Sequence, residues 1–454
     1  MRTSDYAAQV LPDPADVPAE QRGIGRVFAQ PSFKRLWQCL LGASLGDWIG
    51  LLAVTAYANA LAGDGYGERN VAIAGVLFVR LLPALVVGPL GGYVADRLDR
   101  RTTLVTGLAL RGLLFASVPL VGALWWLLAA TLLVEAVNLV WLPTKDALIP
   151  DLVPRDQLED ANRVNLATSY GAALPAAALF TGLSSLGEGI DAMWGWLDGN
   201  PATLTMYVNA VLLLTAAAWA TTLSALPPSA GSLASDETVL RSIAAGWAYI
   251  LRTPLVRALV LGIVGAFAAG GVVIGLARVY VSDLGAGDPG YGVLFGAVFA
   301  GLASGMWWGP RAFSTVPRTR LFSLGITGAG VALVGVAVSP HLVVSAVLAV
   351  VLGVAAGVGW ISGYTLLGLE VEEAVRGRTF AFVQSAIRLT LAGVLALAPL
   401  TAGVIGRREV SLGPVGTLSY SGAQLTLAIA AVVAVAVGLS TYHRMGQRAG
   451  GTRT

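Results

Sequence analysis

Charge is scarce in this sequence. Asp, Glu, Lys and Arg make up 12% of its 454 residues, about half of the roughly 25% that a soluble domain carries. With 56% hydrophobic residues and a mean hydropathy of +0.73, a single core cannot hide the apolar surface and still leave a wettable outside. The remaining surface must face lipid. Cysteine is almost absent: Cys39 stands alone, which excludes an intramolecular disulfide and a cysteine metal cluster. His341 and His443, the two histidines, lie far apart at loop or tail positions, so no metal site is expected. Lys34 and Lys145 are the only lysines and no Gly-x-x-x-x-Gly-Lys-Ser/Thr loop occurs, which argues against a nucleotide-hydrolysing engine. The first thirty residues lack the apolar core of a signal peptide and read as a cytosolic tail.

Long apolar runs are abundant instead. Stretches of about 20 residues, enough to cross a bilayer as helix, recur at about 36–62, 71–93, 103–121, 124–148, 161–184 and 203–226. They resume at about 255–281, 290–310, 321–338, 342–367, 379–402 and 420–441. Continuous runs of this kind lack the alternation of a membrane barrel. The break between the two sets carries Pro227, Pro228, Gly231, Asp236 and Glu237. The expected organisation is a tail at 1–34, a six-helix bundle at 35–226, a cytosolic linker at 227–254, a second bundle at 255–442 and a tail at 443–454. Two halves of this kind characterise pseudo-symmetric transporters; a twelve-helix protein without internal symmetry is the alternative. The 56 glycines suit close packing of membrane helices.

Basic residues orient the chain. An even number of spans puts both termini on one side, with Arg97, Arg100, Arg101, Arg155, Arg241, Arg311, Arg318, Arg320, Arg376 and Arg378; the other side has Arg69, Arg407 and Arg408. The positive-inside rule makes the first side the cytoplasm. A multi-pass protein of the cell (inner, cytoplasmic) membrane is expected, with both termini cytoplasmic. The net charge of +3 follows from this topology and calls for no nucleic acid. The run Gly285 to Gly292 is read as a turn in an outer loop.

The loop between spans two and three reads Gly92-Tyr-Val-Ala-Asp96-Arg97-Leu-Asp99-Arg100-Arg101. A glycine one turn before an acid permits close helix packing, and the acid can meet a neighbouring helix N-terminus. The segment resembles the signature Gly-x-x-x-Asp-Arg-x-Gly-Arg-Arg of the major facilitator superfamily, with Asp99 in place of the second glycine. That variant resembles the drug-efflux and enterobactin-exporter-like branch. Leu45-Gly46-Asp47-Trp48, the stretch from Ala147 through Pro150 and Asp151 to Leu158, and Arg376-Gly377-Arg378 with Phe380 and Phe382 resemble other parts of the same branch. The second half also resembles the membrane portion of actinobacterial transporter–thymidylate kinase fusions. The resemblance implies an all-α membrane protein with twelve transmembrane helices in two pseudo-symmetric six-helix bundles. It further implies that Asp96 sits near the start of helix eleven, around Arg378, with Arg97, Arg100 and Arg101 as the surrounding charge network of a cytosolic gate that includes Gly92.

Ionisable groups deep in a membrane are costly and therefore informative. By these spans the deep acids are Asp47 and Glu135; the deep bases are Arg80, Arg111 and Arg388, with Arg278 nearer the outer end of its span. The resemblance puts helices one, four, seven and ten around a central cavity. Two readings stay open. Asp47 or Glu135 binds and releases a proton, with Arg111 as partner, because desolvation raises a carboxylate's pKa and an arginine lowers it; or one of them forms a permanent ion pair with Arg111. Asn138 and Trp141 follow Glu135 along its helix, and Trp360 and Tyr364 are spaced by four in span ten. With Arg278 they are the candidates for the substrate cavity, lipid-facing packing being the alternative for the aromatics. Gly171-Ala-Ala-Leu-Pro175 lacks the adjacent Gly-Pro pair that related exporters often show in helix five.

The expected function is secondary active transport by alternating access: proton-coupled export of small organic or amphipathic compounds by a monomer, with no organic cofactor and the proton gradient as energy source. A small-molecule substrate and the lipid bilayer are the expected partners. An importer or lipid facilitator, or a non-transporting membrane partner or sensor, remains as an alternative.

Overall fold

The computed structural model describes residues 24–95, 97–154, 157–195, 200–223, 252–371, 373–411 and 417–449. Among these, twelve helices are long and apolar enough to cross a membrane, after a short leading helix at Ile24–Phe28. The first six are α1 (Pro31–Leu61), α2 (Tyr66–Ala95), α3 (Arg100–Val121), α4 (Leu124–Leu152), α5 in two segments (Leu158–Gly171 and Ala173–Trp194) and α6 (Ala202–Ala220). The second six are α7 (Pro254–Asp283), α8 (Gly287–Ala312), α9 (Arg318–Val338), α10 (Leu342–Glu370), α11 (Glu373–Ile405) and α12 (Gly422–Ala449). Helix is what an apolar run must adopt where water cannot satisfy its backbone. Both α1 and α7 begin with proline in the first turn, where its missing N–H has no intrahelical partner to lose.

The chain departs from the sequence expectation in four places. Helix α5 runs to Trp194 rather than 184, so Glu188 and Trp194 are helical and not in an outer loop; Gly195, left-handed at φ 63, ends it. The same helix breaks at Ala172, where Pro175 has no N–H to donate to the Gly171 carbonyl. The Gly285–Gly292 run is a turn only at its start, where Gly285 and Gly287 have φ 70 and 64; from Gly287 it is the first turn of α8. Between α11 and α12 an antiparallel hairpin forms from β1 (Arg407–Ser411) and β2 (Thr417–Ser421), with Arg407 opposite Ser421. The linker expected at 227–254 falls outside the described residues up to 251, as do Asp96, Arg155 and Trp196.

Within the first half α2 packs on α4, and α6 on both α1 and α3; within the second, α8 packs on α10, and α9 on both α10 and α12. The α8–α10 seam is the tightest kind. A Cβ at Gly301 or Gly305 would meet the backbone of Val350 or Val354, and one at Gly353 or Gly357 would meet the backbone of α8. Helices α2 and α11, and α5 and α8, pack across the halves.

At the end of the bundle remote from the termini, side chains tie the halves together. The buried Thr55 hydroxyl of α1 lies 3.2 Å from the Tyr291 hydroxyl of α8, and Phe180 of α5 meets the same ring edge-on at 5.8 Å. Tyr66 of α2 donates to Asp283 at the end of α7 at 3.2 Å. Arg407 of the hairpin reaches the other Asp283 oxygen at 2.8 Å. This distal end is closed.

Candidate functional site

The deep acids of the first half are both paired. Arg111 of α3 pairs with Asp47 of α1, the arginine side chain 1% and the aspartate 34% exposed. The guanidinium lies over the Trp141 ring of α4, 5.4 Å from its centroid, and Trp141 packs against Gly107. Among the described residues Arg111 Nε and Nη1 and Trp141 Nε1 have no hydrogen-bond partner, so the buried cation is underpaired there. Arg80 Nε of α2 lies 3.1 Å from Glu135 Oε1 of α4, and Asn138 donates to the other Glu135 oxygen at 3.1 Å. A cavity of about 10 Å³, walled by Val54, Phe115 and Thr131, adjoins Arg80 and Glu135; that is room for one water. Helix α4 therefore carries Glu135 and Trp141 as parts of two separate clusters. Trp141 itself is buried beneath Arg111 and does not line an opening.

The second half is built differently. Trp360 and Tyr364 of α10 stack at 6.0 Å and 24°. Phe267 of α7 stands edge-on to Trp360 at 4.9 Å, and Tyr170 of α5, from the other half, does so at 6.2 Å. Neither Phe267 nor Tyr170 was singled out by the sequence. Gln384 of α11 donates to the Tyr364 hydroxyl at 3.2 Å. Nearer the distal end, Trp48 of α1 meets Phe299 of α8 at 4.9 Å and Phe295 at 5.9 Å. The spacing of Tyr291, Phe295 and Phe299 by four marks an aromatic stripe on α8 that the sequence alone would have exposed. Arg278 pairs with Asp288 at the start of α8, both side chains 8% exposed, and also donates to Ser282.

The family model of the Major Facilitator Superfamily matches residues 36–397. The chain belongs to this superfamily. It is 26% identical over 382 residues to an uncharacterized MFS-type transporter of Mycobacterium tuberculosis, over 79% of this chain and 81% of the relative. Among solved structures it is similar to a bacterial homologue of the human lysosomal transporter Spinster in an inward-facing, unoccupied conformation, with a TM-score of 0.66, 16% identity, and coverage of 91% of this chain and 97% of that one. A D-xylose-proton symporter gives a TM-score of 0.65 at 16% identity, covering 91% and 97%. At such identities the structural likeness shows the fold alone. Family and relatives together make this superfamily member a transporter and not an enzyme.

Two arginines of the superfamily's signature loop are anchored within their own half. Gly92 lies in α2 and Arg378 in α11, while Asp96 lies outside the described residues. Arg97 is exposed in the turn that follows α2. Arg100 pairs with Asp151 of α4 and donates to the Ala147 carbonyl at 3.3 Å; Arg101 donates to the Thr221 carbonyl at the end of α6. Asp99, where the family pattern has glycine, is the N-cap of α3: its carboxylate accepts from the Thr102 amide at 2.7 Å. Hydrogen bonds from the Thr102 hydroxyl and amide, with help from Arg101, hold the Asp99 carboxyl below the usual carboxylate range.

Proposed function

We propose that this chain is a proton-coupled secondary transporter that exports small organic or amphipathic compounds by alternating access. The bundles at 35–226 and 255–442 rock about the substrate, with both termini in the cytoplasm. The observation that carries the reading is the pairing of each deep acid in the first half with an arginine, Asp47 with Arg111 and Glu135 with Arg80. An arginine close by keeps a carboxylate ionised; drawing the pair apart, or drying it, raises the carboxyl's proton affinity. A rocking motion that alters either pair therefore loads or releases a proton. In this reading the closed distal end is the outer gate, and Asp96 with the start of α11 forms the cytosolic one. Export is supported by the resemblance of the Asp99-containing loop to the efflux-like branch.

The test is substrate-induced proton flux in liposomes of defined orientation, screened over a broad compound panel. Asp47→Asn or Glu135→Gln is expected to abolish proton flux while substrate exchange persists. Proton-driven transport left intact in both variants would sink the coupling. A substrate gradient built only inward would reverse the direction.

A further inference from the structure

The four arginines placed deepest in the spans are not alike. Arg80, Arg111 and Arg278 each face a carboxylate. Arg388 of α11 has neither an ion pair nor a hydrogen bond to its side chain among the described residues, and it is exposed.

Its exposure is not toward lipid. Leu389, Leu397, Leu400 and Val404, all exposed, mark the lipid face of α11. At 3.6 residues per turn, Arg388 lies roughly opposite that face, on the stripe of Gln384, Leu391 and Leu395. Leu391 and Leu395 lie against Gly271 and Gly275 of α7, and Gln384 reaches Tyr364 of α10. Arg388 therefore lies on the side of α11 that is turned away from lipid, toward α7 and α10. Helices α10 and α11 run antiparallel. Gln384 and Tyr364 share a level, so Arg388 stands one turn deeper, at the level of Trp360. At that level Trp360 is flanked by Phe267 and by Tyr170 from the opposite half.

An unpaired cation inside a membrane protein marks a site whose partner comes from outside the chain. A guanidinium suits a carboxylate, sulfonate or phosphate, whose oxygens it can hold in pairs. The cluster of four rings centred on Trp360 at that level suits an apolar body. We propose that Arg388 and the wall of Trp360, Tyr364, Phe267 and Tyr170 bind an amphipathic organic anion, its acidic group on the guanidinium and its apolar body on the rings. The proposal names the substrate class of the transport reading and rests on it for the molecule's route to the site. Its test is equilibrium binding, so it stands or falls apart from proton flux.

The full chain, in nanodiscs of zwitterionic lipid, is titrated with naphthoate, with its neutral counterpart naphthamide, and with a single-chain anionic phospholipid. Naphthoate is expected to bind more tightly than naphthamide. Arg388→Gln should weaken naphthoate at least about tenfold and change naphthamide by less than about twofold, as loss of a charge-assisted contact predicts. Arg388→Lys should recover part of the loss, and Trp360→Ala should weaken both probes. Retention of the anionic lipid alone, still dependent on Arg388, upholds the site and assigns the anion to a lipid headgroup. Two outcomes overturn it: no anionic probe binding better than naphthamide, or Arg388→Gln weakening naphthoate and naphthamide alike. Should Arg388→Gln fail to fold, the preference of the unaltered protein and the Arg388→Lys result decide.

Discussion

In the first six helices Arg80 and Arg111 each face a carboxylate from another helix, whereas in the second six Arg388 faces none among the described residues. The first arrangement is self-contained. A pair within one half is neutral as a unit. The second arrangement is open, because a cation within a membrane span and without a carboxylate beside it is a candidate functional site. The halves also differ in how they pack. On α2 a Cβ at Gly75 would meet only the Leu128 side chain of α4 at 3.5 Å, while on α8 a Cβ at Gly305 would run into the backbone of α10. At these two positions the first half is filled by a side chain, while the second is drawn tight by glycine.

Removing single members of the charged groups should give the largest effects, and with opposite signs in the two halves. Asp47→Asn leaves a fully buried Arg111 with no counter-charge, a change of the kind that destabilises by about 3–5 kcal/mol. Arg111→Gln leaves Asp47, which is one-third exposed and can be hydrated, so its loss should be clearly smaller. Arg388→Gln removes a cation that has no partner to lose among the described residues and should leave thermal stability unchanged or raise it. Thermal unfolding in detergent, followed for all three variants, checks the ranking. Equal losses at Asp47 and Arg388 would erase the distinction between the halves.

The packing contrast predicts the next effect. Gly305→Ala puts a methyl group into the backbone of Val354, and overpacking of this kind costs about 1–3 kcal/mol. Gly75→Ala meets only an ordinary side-chain contact, and gains up to about 1 kcal/mol from the better helix propensity of alanine. The two substitutions are the same chemically, so the difference in melting temperature isolates the closeness of the seam. A neutral Gly305→Ala would mean that α8 and α10 separate at little cost.

Most of this architecture was legible in the sequence because its cause is one-dimensional. A run of apolar residues must be helix in lipid, and each of the twelve expected spans has its helix. What escaped had causes of another kind. Helix α5 continues to Trp194 through Ser184, Glu188 and Asp191, residues that lower hydropathy without breaking a helix. The hairpin at 407–421 is set by local pairing in a polar loop, where hydropathy carries no signal. Deep acids and bases could be found by position along a span, but partner choice could not. Asp47 pairs with Arg111 and Glu135 with Arg80 because of helix rotation, which a single sequence leaves free. Likewise Trp141 turns under Arg111 while Trp360 turns to an interface with the other half. The ring partners Tyr170 and Phe267 come from different helices and carry no shared spacing.

The smallest effect concerns the loops that lead into α3 and α9, which occupy equivalent places in the two halves. Helix α3 is capped by the Asp99 carboxylate, while α9 begins after Pro317 without a side-chain cap. Losing an N-cap acceptor costs about 1 kcal/mol, so Asp99→Ala should lower stability by about that amount at neutral pH, and Asp99→Asn by less. The sign of the pH dependence follows from the Thr102 hydrogen bonds, which depress the folded carboxyl's pKa. Above the ordinary aspartate range the contribution is fully present; as pH falls through the depressed folded value it disappears. The stability gap between the unaltered protein and Asp99→Ala should therefore narrow on acidification, and the gap to Asp99→Asn, whose amide likewise does not titrate, should fall by the same amount from its smaller starting value. Melting curves taken between neutral pH and pH ~3 read both gaps. If the Asp99→Ala gap stayed constant across that range, the carboxylate would be contributing packing or backbone geometry to this half and not a charged cap.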